Sequence, residues 1–135
     1  MKKGTHVFVI DDDASARRGI TRFLRIAGFY VKDFDSLKSF LDNFKSCHSG
    51  CLILDIGLSG MKGDELMTAL QSKEVHLPVI FIMADDNPEA RQMAESVNAS
   101  GFFRKPVDGT ALIDTIKWTI RCKNGTGSLL EMNDD

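Results

Sequence analysis

The sequence predicts an α/β fold built on a parallel five-stranded sheet. Three observations predict it. Short apolar runs rich in β-branched and aromatic residues begin near residues 7, 29, 51, 79 and 102. A stretch whose apolar residues recur three and four apart follows each run, the spacing of a helix with one buried face. The runs are continuous rather than alternating, as in strands covered on both faces.

Val7-Phe8-Val9-Ile10 forms the first strand, stopped by Asp11-Asp12-Asp13. Ala16, Ile20, Phe23, Leu24 and Ala27 then share a helix face, and Gly28 suits its C-terminal cap. Phe29-Tyr30-Val31 is the second strand. Leu37, Phe40, Leu41 and Phe44 mark a second helix, with Asp35 or Ser36 as its cap. The third strand, Cys51 to Leu54, delivers Asp55 into a loop containing Gly57, Gly60 and Gly63. Leu66, Ala69 and Leu70 then face inward from a third helix.

Pro78 precedes the fourth strand, Val79 to Met83. Asn87-Pro88 is a helix start, an asparagine cap with proline at the first helical position. Ala90, Met93, Ala94 and Val97 mark one face of that helix. Gly101-Phe102-Phe103 is the fifth strand, and Asp108 caps a last helix with Leu112, Ile113, Ile116 and Ile120 inward. The domain therefore spans residues 1–122. Residues 123–135 read as a mobile polar tail or the start of a linker.

Five strands alternating with five helices imply a three-layer sandwich with helices on both faces. Right-handed crossovers and the chain length favour the flavodoxin-like (βα)5 arrangement, strand order 2-1-3-4-5. Strands 1 and 3 are then neighbours at the switch point, where open α/β sheets bind ligands. Asp11, Asp12 and Asp55 converge there.

Composition narrows the function. At 135 residues the chain is one domain, and 43% hydrophobic with 27% charged residues is ordinary for a globular protein. A net charge of −2 gives no general attraction to nucleic acid or an anionic membrane. No apolar stretch reaches membrane-spanning length. Cys47, Cys51 and Cys122 are odd in number and lack metal spacing, which fits reduced thiols in the cytoplasm. Lys2-Lys3 and Arg17-Arg18 read as solvated basic pairs, and Trp118 and the cysteines as packing residues.

Alone, Asp55 would be a turn aspartate. Three clustered carboxylates repel one another unless a cation neutralises them. Oxygen-only ligands suit a hard divalent ion such as Mg²⁺, which also takes waters and phosphate oxygens. Across the same rim, strand 5 runs into Arg104-Lys105-Pro106, where a lysine can pair with a phosphoryl oxygen. Acids, a metal and a lysine around one carboxylate make a phosphoryl-transfer site with a carboxylate nucleophile.

On these residues the chain resembles the receiver domains of two-component response regulators. The resemblance covers about residues 5–122. It rests on Asp11-Asp12 after strand 1, Asp55 after strand 3, Lys105-Pro106 after strand 5 and the loop closing at Gly63. It implies a signalling switch rather than a metabolic enzyme, with Asp55 phosphorylated by a histidine kinase or phosphotransfer protein. Asp12, Asp55 and the Gly57 carbonyl would ligate Mg²⁺, with Asp11 helping through water. Lys105 would contact the phosphoryl oxygens across a cis Lys105-Pro106 bond. Phe102 sits at the aromatic switch position, although it also reads as a core residue. The face of the fourth helix, fifth strand and fifth helix would change its affinity for a target or a second copy. From the charge and the short apolar runs, direct nucleic-acid binding by this domain and membrane binding are not expected.

Two positions depart from the family pattern. Met83 replaces a threonine or serine whose hydroxyl bonds the phosphoryl group, and residues 79–87 contain neither. A thioether donates nothing, leaving the Ala84 amide beside it. Asp85 and Asp86 add negative charge nearby. Ser59 stands where proline is usual, loosening the loop. Met83 opens an alternative reading, a receiver-like binding module independent of phosphorylation. A third reading is a haloacid-dehalogenase-like phosphatase, which Asp11-Asp12-Asp13-Ala14-Ser15 loosely matches.

Overall fold

The computed structural model describes residues 6–45, 49–55, 63–84 and 88–121. The strands are β1 (His6–Ile10), β2 (Tyr30–Phe34), β3 (Gly50–Asp55), β4 (Val79–Met83) and β5 (Gly101–Arg104). The helices are α1 (Ala14–Ile26), α2 (Leu37–Asn43), α3 (Gly63–Ser72), α4 (Pro88–Ser96) and α5 (Gly109–Arg121). All strand pairings are parallel, in the order β2-β1-β3-β4-β5. The predicted flavodoxin-like topology is the one observed.

Alternation along the strands feeds two cores. Phe8, Ile10, Leu52, Leu54, Val79 and Phe81 pack with Phe40, Leu66, Leu70 and Ala94 from α2, α3 and α4. Val7, Val9, Cys51, Ile53, Ile80 and Ile82 pack with Leu24, Leu112 and Ile116 from α1 and α5. Every residue of β3 and β4 is buried, which explains their uninterrupted apolar runs. Full burial also pushes the Cys51 thiol up to about 12, so Cys51 packs as a small apolar residue.

Local chemistry sets the boundaries. Asp13 caps α1, its carboxylate accepting from the Ser15 and Ala16 amides. Of the two cap candidates for α2, Ser36 is used, accepting from the Ser39 amide. Asp108 accepts from the Ala111 amide at the start of α5. Gly28 follows α1 at φ +107°, a left-handed conformation that glycine adopts without a Cβ penalty. The Asn87 cap lies outside the described residues, as do Cys47, Cys122 and the stretch 123–135.

Three expectations need correction. β2 runs on to Phe34, past the predicted end at Val31, and Phe29 precedes it. It is an edge strand, so exposed Lys32 and Asp33 interrupt its apolar pattern without breaking the ladder. Phe44 lies just past α2 in extended backbone, yet its ring still meets Phe8 and Phe40. Trp118 is 38% exposed and does not belong to either core.

Candidate functional site

The carboxyl ends of β1, β3 and β5 build the site. Parallel pairing sets Ile10 beside Leu54, so the residues that follow, Asp11 and Asp55, emerge together at one rim. Asp11 is fully buried, Asp55 is 7% exposed and Asp12 is exposed. Each offers a carboxylate oxygen, and all three oxygens lie within 4.8 Å of one another. The predicted convergence is therefore present.

Lys105 crosses from β5. Its Nζ donates to Asp55 Oδ2 at 3.1 Å and lies 2.9 Å from Asp11 Oδ2. The Asp11 contact is an ion pair by distance, without the angles of a hydrogen bond. Burial pulls the ammonium's pKa down, but Asp11 and Asp55 outweigh that, and it lies above the ordinary lysine value. Lys105-Pro106 is cis, and the Lys105 amide donates to the Met83 carbonyl at 2.8 Å. That bond ties the lysine's backbone to the end of β4.

The three carboxylates crowd one point, and Lys105 lies against two of them. Burial raises the Asp11 pKa and the neighbouring Asp55 carboxylate adds to it, while Lys105 and the Asp13 amide pull it down. The net direction is upward. A cation placed among these oxygens would relieve that penalty, and an all-oxygen set suits a hard ion. The residues present therefore fit Mg²⁺. The Gly57 carbonyl, assigned as a further ligand, lies outside the described residues, as do Ser59, Asp85 and Asp86.

Met83 is 2% exposed at the end of β4, beside Arg104 in the β4–β5 register, and Ala84 after it is exposed. Phe102 is half-buried, packed on the core beneath α2, α3 and α4, with Arg91 5.3 Å above its ring. Met83, Phe81 and Val79 alternate onto one face of β4, and Phe81 pairs with Phe102. The thioether and the aromatic thus belong to the same side of the sheet.

Sequence reasoning missed one residue. Arg17, read as part of a solvated pair, is only 17% exposed; Arg18 beside it is exposed. Arg17 Nη1 donates to the Asp11 carbonyl at 2.7 Å, and its Nε donates to Asp33 Oδ2 at 3.0 Å. The available signal was position. Arg17 stands one helical turn after the Asp13 cap, and Asp33 lies in β2 opposite Val9.

A parallel 2-1-3-4-5 sheet with paired acids at its switch point and a lysine facing them defines a class of α/β signalling modules. The chain belongs to the response regulator receiver domain family, whose model matches residues 7–117. It is 36% identical over 110 residues to the transcriptional regulatory protein TdiR of Thauera aromatica, covering 82% of this chain and 48% of TdiR. The transcriptional regulatory protein FixJ of Bradyrhizobium diazoefficiens is 30% identical over 116 residues, covering 86% of this chain and 57% of FixJ. The chain thus spans about half the length of these curated relatives. Among solved structures, response regulator StyR aligns with a TM-score of 0.77 at 35% identity, covering 97% of this chain and 66% of that one. The structure of FixJ-N aligns with a TM-score of 0.75 at 27% identity, covering 87% and 93%. The family match does not support the haloacid-dehalogenase-like reading, and Asp13, which that reading needs, is engaged as a helix cap.

Proposed function

We propose that this receiver domain accepts a phosphoryl group on Asp55 from a phosphohistidine of a histidine kinase or phosphotransfer protein. The observation that carries the reading is Lys105 Nζ held between Asp55 Oδ2 and Asp11 Oδ2, with Asp12 alongside. An Asp55 carboxylate oxygen attacks phosphorus and the phosphohistidine P–N bond breaks. The imidazole leaves with the electron pair and takes up a proton. Hydrolysis of the resulting acyl phosphate later releases inorganic phosphate and regenerates the carboxylate.

Lys105 contributes a fixed positive charge that can pair with the phosphoryl oxygens once they displace its contact with Asp55. Asp12 and Asp55 would hold Mg²⁺, with Asp11 assisting through water, and the ion would supply positive charge against the phosphoryl oxygens there. The protein is a switch whose own chemistry is self-phosphorylation and autodephosphorylation. A cytoplasmic location belongs to this reading, because receiver domains take phosphoryl groups from kinases there. The output is the face of α4, β5 and α5, on which Phe102 lies, offered to a target or a second copy.

A specific observation favours a second reading. Met83 is buried at the position where a hydroxyl would bond the phosphoryl group, so that donor is missing, leaving the Ala84 amide together with Lys105. A hydrogen bond to a charged group is worth roughly 1.5–3 kcal/mol. A module binding its partner without phosphorylation would tolerate that loss. Intact mass after incubation with acetyl phosphate separates the two. A phosphoryl adduct that forms with Mg²⁺ and not with excess chelator supports the phosphoacceptor; no adduct despite Mg²⁺ binding supports the binding module.

A further inference from the structure

We infer that Arg17 is a positioning residue for the acidic pair, setting the Asp11-Asp12 turn through the Asp11 carbonyl. This rests on the phosphoacceptor reading of the site. Each polar atom of Asp11 has a fixed neighbour. Its amide donates to the Phe34 carbonyl at 3.1 Å, its Oδ1 accepts from the Asp13 amide at 3.0 Å, and its Oδ2 faces Lys105. The carbonyl is held by Arg17 Nη1 at 2.7 Å. That carbonyl belongs to the peptide joining Asp11 to Asp12, so holding it fixes the plane from which the Asp12 side chain departs. Asp12 is exposed, and no hydrogen bond to its carboxylate is among those described, so its placement comes from the backbone.

Arg17 can do this because it is itself held. Asp33 Oδ2 accepts from its Nε at 3.0 Å, anchoring the guanidinium to β2. Its backbone amide donates to the Asp13 carbonyl at 2.9 Å in the first turn of α1. One planar cation thereby joins α1, β2 and the end of β1. A guanidinium meets two acceptors in fixed directions, whereas a lysine ammonium on a flexible stem cannot reproduce both. Groups behind metal ligands that orient them typically change metal affinity 10- to 100-fold when removed.

The test measures the Mg²⁺ dissociation constant by titration and the rate of Asp55 adduct formation with acetyl phosphate. Arg17→Ala should weaken Mg²⁺ binding about tenfold or more and slow the adduct in step. Asp33→Ala should give a smaller loss in the same direction. The double variant should match Arg17→Ala, because Asp33 acts only through the guanidinium. Arg17→Lys should recover part of the loss. Ser36→Ala, which removes the α2 cap away from the site, controls for general destabilisation and should keep wild-type Mg²⁺ affinity. Arg17→Ala binding Mg²⁺ like wild type would overturn the inference, as would an equal loss in Ser36→Ala. Wild-type protein that neither binds Mg²⁺ nor forms an adduct would instead overturn the phosphoacceptor reading, and this inference with it.

Discussion

At the residue scale, the site is a balance of charges held close by the fold. Burial and Asp55 raise the Asp11 pKa, so its charged form is less favourable in the folded than in the unfolded chain. Its ionisation therefore removes stability as pH rises from the ordinary 3.8 through the folded value. Asp11→Asn should accordingly resist urea better than wild type at pH 7 without Mg²⁺, and the gain should vanish below about pH 3.8. Equal midpoints at pH 7 would contradict it. Met83 makes a second prediction. Met83→Thr restores a donor worth roughly 1.5–3 kcal/mol and should lengthen the adduct lifetime about tenfold, read by intact mass over time. An unchanged lifetime would mean the thioether position does not face the phosphoryl group. Asp55 was legible in the sequence because it ends an apolar run, and Lys105 because it follows the fifth strand just before a proline. Arg17 was not, because a basic pair on a helix reads as solvated until its acceptors, set by the β1–β2 register, are known.

At the element scale, buried strands were legible and the edge was not. β4 has its predicted boundaries because all five of its residues are buried, leaving no polar interruption. β2 was cut short because an edge strand carries Lys32 and Asp33 toward solvent. β3 also begins one residue earlier than its apolar run, at Gly50. Gly50 has φ +136°, and a Cβ there would overlap the His6 backbone. Gly50→Ala should therefore lose more than about 2 kcal/mol of stability through strain and displacement of β1. Urea denaturation checks this, and a midpoint within error of wild type would contradict the β1–β3 register beside it.

At the scale of the whole molecule, the strand order followed from five βα units and the handedness of their crossovers, and it alone brought Asp11 and Asp55 together. The family match agrees with that topology, while the chain spans only about half the length of TdiR or FixJ. What the rest of the fold contributes is a rim on which three acids and a lysine meet, with Arg17 clasping the Asp11 backbone to β2. The central claim is that Asp55 is the acceptor. An acyl phosphate is reduced by borohydride at its carbonyl, turning the phosphorylated aspartate into homoserine. After incubation with acetyl phosphate and Mg²⁺ and then borohydride, peptide mass mapping should find homoserine at position 55 and nowhere else, with none in Asp55→Asn. Homoserine at position 11, 12 or 13, or an unreduced chain despite intact Mg²⁺ binding, would contradict the account.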